Sequence, residues 1–255
     1  MDDLLSLILN KYQLFLLIAV RTSGIFIFSP FFSSQNIPNT MKVGLTFSIS
    51  LILASIIPYE LSLSNGALSI IILKELSVGI LIGFISYAIF SAFYVMGQII
   101  DMKIGFGMVN VIDPQNRVQV PLMGNFYYTL SFLLLLGING HHHIISAIKD
   151  SYSYIPIGNF KFSEGTMNLL VNILSKSFEL GFKLSMPIVA IVFLTDIILG
   201  ILSKTIPQMN VFVVGMPLKI LIGLLIILIS IPMFFNSINS VFDILINSLY
   251  NFIAN

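Results

Sequence analysis

The chain has 255 residues and a net charge of +1; charged residues make up 9%, against roughly 25% in a soluble domain, and mean hydropathy is +1.01. That balance offers nothing to nucleic acid, the lack of cysteine excludes disulfides and thiolate chemistry, and the lack of tryptophan leaves any aromatic belt to Tyr and Phe. Apolar runs fill most of the length and leave no room for a separate soluble domain, so the expected fold is all-α: a multi-helix integral membrane protein of hairpins, one membrane domain over 1–255.

Asp2 and Asp3 stand where a signal peptide would be basic, and the first apolar run carries Arg21, so no removable signal peptide is expected. Six main apolar segments follow, near Leu14–Phe32, Val43–Ile57, Ile70–Ile100, Leu122–Ile145, Gly181–Leu202 and Val211–Phe235. The second is short for a span, and the third is long enough to tilt, kink or leave the membrane. Two further stretches, near 163–180 and 237–253, are amphipathic helices. In the first, Met167, Leu170, Val171, Leu174 and Phe178 recur at helical spacing behind Ser163 as N-cap. In the second, Ile238, Val241, Phe242, Leu245, Leu249 and Phe252 form a stripe, with Asn239, Ser240, Asp243, Asn247 and Asn251 largely on the other face. Such a stripe belongs to an interfacial or a packing helix, and packing is favoured.

Arg21, Lys74, Glu75, Lys183, Asp196 and Lys219 lie in or beside the apolar runs. Ionisable groups in hydrocarbon are costly and usually face a protein interior or a watery cavity, so these point to part of a conduit rather than an anchor. Loop charge does not orient the chain: with six spans, Lys11, Lys149, Lys161 and Lys176 balance Lys42, Lys103, Arg117 and Lys204. That tie suggests placement by partners.

The linkers are Ser33–Lys42, Pro58–Ser69, Asp101–Pro121 and Ser146–Phe162. The third is odd. Gly105 and Gly107 permit unusual backbone angles, while Met108, Val109, Val111 and Ile112 are apolar where a surface loop should be polar. It reads either as something that packs into a hole or as a buried re-entrant connection. Between the last two segments, Pro207, Gln208, Asn210, Phe212, Gly215 and Pro217 make a run too apolar for a solvated loop and too interrupted for one helix. It reads as a tight hairpin tip.

Chemistry is not indicated. His141, His142 and His143 point about 100° apart on a helix and cannot converge on one ion, so they read as a polar turn at a span end. Asp101 and Asp196 would suit an intramembrane aspartyl protease, but Gly105-Phe106-Gly107 is followed by Met108, not Asp, and no Gly-x-Ser-x-Gly is present. No enzyme, cofactor or metal is expected. Glu179 and Lys183 are spaced as a helical pair and read as local neutralisation. Asp196 falls on another face from Lys183 and needs a partner elsewhere; Arg21, Lys74 and Lys219 are candidates.

The order of these residues resembles a known family. Arg21 with Pro30, Pro38 with Lys42, Gly79, Gly83 and Gly97, then Asp101, Gly105 and Asp113-Pro114 are followed by Gly140-His141, Ser151 with Pro156, and Pro187. The string Pro207-Gln208, Asn210, Phe212, Gly215 and Pro217 to Lys219 is the most specific part, and the match runs essentially end to end. The chain resembles the FliR family of flagellar type III export-gate subunits, and more broadly the matching virulence type III secretion subunit.

The resemblance implies a non-enzymatic, all-helical channel subunit at the bacterial inner membrane, in the flagellar basal body. Implied partners are two smaller membrane subunits, FliP-like and FliQ-like, with FlhB-like and FlhA-like components, membrane lipid, and the unfolded proteins that are exported. It also implies that a loop plugs the closed channel; the matching stretch is Gly105–Arg117, with Gly105, Phe106, Gly107, Met108, Val109, Asn110, Val111, Ile112, Asp113 and Pro114 as gating residues. Arg21, Asp196 and Lys219 are taken as buried charges that serve assembly. The alternative of another class is an ion-coupled secondary transporter, which should show internal repeats; none is convincing here.

Overall fold

The structure is a computed structural model describing residues 2–30, 32, 37–57, 68–108, 121–206 and 210–254, without the side chains of 2–10, 108, 211 and 212. Every regular element among these residues is helical. In order they are α1 (Asp2–Phe28), α2 (Asn39–Ile56), α3 (Leu68–Ile104), a 3-10 turn (Phe106–Met108), α4 (Leu122–Gly137), α5 (Gly140–Tyr154), α6 (Glu164–Thr205) and α7 (Val211–Ala254). Helices α1, α2, α3, α6 and α7 are long and apolar enough to cross a membrane, and α4 with α5 makes a sixth span if the two count as one broken helix. This is the all-α membrane fold that the composition implies.

Three helices are far longer than one span. α3, α6 and α7 have 37, 42 and 44 residues. At 1.5 Å per residue that is about 55–65 Å, roughly twice the hydrocarbon thickness. The amphipathic stretch near 163–180 is the beginning of α6, and that near 237–253 is the end of α7, because no strong helix stop separates either from its apolar neighbour. Ser163 does cap α6: its hydroxyl accepts the Thr166 N–H at 3.2 Å.

Two expectations about breaks are corrected. The apolar run Leu122–Ile145 is interrupted where Asn139 adopts a left-handed conformation, φ 57°, one of the few non-glycine residues that tolerate it. Pro217 does not stop a helix; it lies inside α7, as Pro232 does, and Pro187 lies inside α6. Proline is tolerated in apolar helices where neighbouring groups take up the freed backbone atoms.

The chain divides into two compact units, one of Met1–Ile89, Asn139–Ile173 and Ile244–Asn255, the other of Phe90–Ile138 and Leu174–Asp243. Within the first, α1 packs on α2 and on the start of α3. The α1–α3 crossing is backbone to backbone: a Cβ on Gly79 would sit 2.1 Å from the Arg21 carbonyl oxygen, and one on Gly24 2.9 Å from the Ile80 nitrogen. Gly79 and Gly83 are spaced small-xxx-small, the pattern that lets apolar helices approach closely. Within the second unit the same device recurs at Gly97, whose Cβ would lie 2.4 Å from Gly124. An edge-on aromatic cluster of Phe90, Phe93, Tyr128 and Phe234 fills the space beside it.

The two amphipathic stretches behave oppositely. In α7, Ile238, Val241, Leu245, Leu249 and Phe252 are all buried, so that stripe packs. In α6, Met167, Val171, Leu174 and Phe178 are 41–63% exposed, and the buried positions are Thr166, Ile173, Ser177 and Ser185 instead. Packing is thus the wrong reading for the α6 stripe within this chain. Thr166, Ser177 and Ser185 are small enough to admit a neighbouring helix, whereas Met167, Val171, Leu174 and Phe178 face outward.

Candidate functional site

Three arrangements of polar residues stand out. The first, in the first unit, centres on Arg21, which is fully buried. Its Nε donates to Glu75 Oε2 at 2.7 Å, Nη1 to Ser151 Oγ at 3.1 Å and Nη2 to the Ile155 carbonyl at 3.1 Å. The guanidinium also lies over the Tyr152 ring, 4.1 Å from its centroid. Glu75 Oε1 accepts the Gly158 N–H at 2.9 Å, and Lys74 Nζ donates to the Gly158 carbonyl at 2.9 Å. Gly158 has φ +81°, a left-handed conformation that suits glycine. One guanidinium thus joins α1, α3, α5 and the 155–158 connection.

Arg21 was a candidate partner for Asp196 and an assembly charge. Its partner is Glu75. The clue available in sequence was Glu75 itself, a carboxylate inside an apolar run that requires a cation nearby. Because the pair closes within the chain, Arg21 by itself requires no other subunit.

The second arrangement, in the second unit, holds the two ends of the stretch between α3 and α4. α3 ends at Gly105, φ +102°, whose N–H still reaches the Asp101 carbonyl at 3.1 Å. Gly107 has an ordinary backbone angle, so the freedom expected of both glycines is used at Gly105 alone. α4 starts behind Pro121, which supplies no side-chain cap. Asp101 replaces it from another helix: both carboxylate oxygens accept the Met123 N–H at 3.0 Å, and Oδ2 accepts the Gly124 N–H at 3.3 Å. These are the unpaired donors of a helix start, at its positive end. With the Gly97–Gly124 contact, Asp101 pins the two stems together. Val109, Asn110, Val111, Ile112, Asp113 and Pro114 lie outside the described residues, while Phe106 and Gly107 are half-buried.

The third arrangement is the pair of Lys219 with Asp196, 2.7 Å apart, which joins α7 to α6. Lys219 is therefore the partner among the three candidates. The side chains are 20% and 39% exposed. Glu179 accepts from Lys183 at 2.5 Å and from Lys176 at 3.1 Å on the exposed side of α6, so the pair expected as local neutralisation has a third member. Pro207 and Gln208 lie outside the described residues; Asn210 precedes α7, and Phe212, Gly215 and Pro217 fall within it. His141, His142 and His143 occupy the first turn of α5, with the first two rings stacked at 4.2 Å. Asp101 and Asp196 each have a separate partner.

The fold and these pairings define a polytopic helical membrane protein whose internal charges join helices. Over residues 12–245 the chain matches the family of bacterial export proteins, family 1. It is 34% identical to the flagellar biosynthetic protein FliR of Bacillus subtilis (strain 168) over 97% of both chains. Identity to the Aquifex aeolicus (strain VF5) protein of that name is 30%, over 91% of this chain and 87% of that one. For Escherichia coli (strain K12) it is 25%, over 89% and 87%. The chain therefore belongs to this bacterial export family, the family of flagellar biosynthetic protein FliR, as the string of residues from Arg21 to Lys219 suggested.

Proposed function

We propose that this chain is a non-enzymatic subunit of the flagellar type III export gate, that it forms part of the channel for unfolded substrates, and that the stretch Gly105–Arg117 closes that channel. The export assignment is carried by the family match from residue 12 to 245. The flagellar branch is preferred to the virulence branch because the three relatives above are named for flagellar biosynthesis.

The partners would be small helical membrane proteins, FliP-like and FliQ-like, with FlhB-like and FlhA-like components nearby at the inner membrane. Supporting this, α6 and α7 leave Phe178, Phe182, Leu228 and Ile229 between 54% and 73% exposed, together with many further apolar side chains. A surface of that extent asks for lipid or another helix. Helices roughly twice as long as the hydrocarbon core is thick also suit an assembly that rises out of it.

The plug reading is supported by the pinned stems. A seal must stay over its pore while closed and move without unravelling its supports. Asp101 holds α3 to α4 beneath the stretch, and Gly105 supplies the bend. Apolar residues converging in a narrow pore exclude water and ions. Opening would follow when substrate or partners favour the displaced state. Deleting Met108–Ile112 is expected to leave assembly intact and make the closed complex conduct in a planar bilayer. An assembled deletion variant as tight as the parent refutes the plug.

A further inference from the structure

Helices α1 and α2 form a hairpin with an open groove of about 620 Å³ along one side. Its walls change character along its length. Toward the connection they carry Ser23, Phe26 and Ile27 on α1 and Asn39 and Lys42 on α2; farther away they are Ala19, Leu16 and Phe15 facing Thr46 and Phe47. The small side chain of Ala19 leaves the gap open. The Phe15 and Phe47 rings, edge-on at 5.3 Å, close its far end. From Ser23 to Phe15 the groove runs about 12 Å along α1, most of the roughly 15 Å of one hydrocarbon leaflet.

Lys42 gives this groove its sign. It is the sole cation between Arg21 and Lys74 in sequence. Among the described residues it has no ion-pair partner. It sits one turn into α2, at the polar end, where a lysine stem reaches along apolar surface toward the membrane interface. The walls beyond it are largely apolar, with Thr46 the polar exception, and uncovered: Val43 is 68% exposed, Phe47 55% and Leu16 39%.

We propose that this groove binds one anionic glycerophospholipid, with the headgroup phosphate on the Lys42 ammonium and an acyl chain along Val20, Ala19 and Phe15. A cation and two polar side chains toward one end, followed by most of a leaflet's length of largely apolar wall, match the two halves of such a lipid. A partner helix filling the apolar part would also have to bring a carboxylate to the height of Lys42.

Native mass spectra of the full-length chain, released from mixed micelles of phosphatidylglycerol and phosphatidylcholine with identical tails, test this. The parent should retain one phosphatidylglycerol with about fivefold preference, as expected for one lysine at an anionic surface. Lys42→Gln should bring the preference near unity, and Lys42→Arg should keep it. Ala19→Phe, which fills the channel, should lose both lipids. In cells, a photocrosslinker at Val43 should capture lipid. An unchanged preference in Lys42→Gln, retention in Ala19→Phe, or crosslinking of Val43 to another protein chain each overturns the proposal.

Discussion

Two ion pairs of the same chemistry sit in unlike settings. Arg21 and Glu75 are fully buried, with further hydrogen bonds from Arg21 to Ser151 and Ile155 and from the Gly158 N–H to Glu75. Asp196 and Lys219 join two helices that leave many large apolar side chains exposed, and both remain partly open. The first pair completes a core within the chain. The second belongs to a helix pair whose outer surface is unfinished until lipid or another subunit covers it. Burial, rather than the mere presence of a charge in an apolar run, separates a structural pair from a surface one.

The comparison breaks most readily at Glu75. Glu75→Ala is expected to cost about 3–5 kcal/mol, because it strands a buried guanidinium. The readout is the thermal melt of the full-length chain in mild detergent. Replacing both partners by apolar residues, Arg21→Met with Glu75→Leu, should recover much of that loss. A single mutant that melts with the parent removes the claim that this pair completes a core.

Next in size are the glycine crossings. Gly79→Ala in one unit and Gly97→Ala in the other each drive a methyl group into backbone, at 2.1 and 2.4 Å. Each should cost about 1–3 kcal/mol by overpacking. Gly200→Ala is the control, since nothing lies within 4 Å of its Cβ. Because alanine favours a helix more than glycine does, it should leave the melt unchanged or raise it; a fall as large as the others would mean that close backbone approach is not what sets the cost at Gly79 and Gly97.

Asp101→Ala removes a borrowed helix cap and should cost about 0.5–2 kcal/mol. The loss should appear first as faster hydrogen exchange at Met123 and Gly124; unchanged exchange there would mean that the stems are held by the Gly97 contact alone. Asp196→Ala should cost only about 0–1 kcal/mol in the isolated chain, as partly exposed pairs do. A loss equal to that of Glu75→Ala would erase the contrast between the two pairs. Glu179→Ala should have the smallest effect, with no measurable change in the melt, since its lysines are already in solvent.

The sequence by itself determined the class, and the reason is energetic: apolar runs with few charges must bury their backbone bonds in helices once water is absent. It also determined the family, through the ordered prolines, glycines and charges from Arg21 to Lys219. It located Ser163 as a cap, because capping is local. What it could not contain was partnership across long separations. Arg21 lies 54 residues from Glu75 and 130 from Ser151, and Asp101 caps a helix 22 residues on. No local pattern encodes which helix comes alongside which. For the same reason the sequence did not show that the stripe Met167–Phe178 stays exposed within this chain. In water an apolar stripe turns inward, whereas in an apolar surround a face that carries small residues admits the neighbouring helix, and only the tertiary structure showed that Thr166, Ile173, Ser177 and Ser185 lie on the buried side of α6.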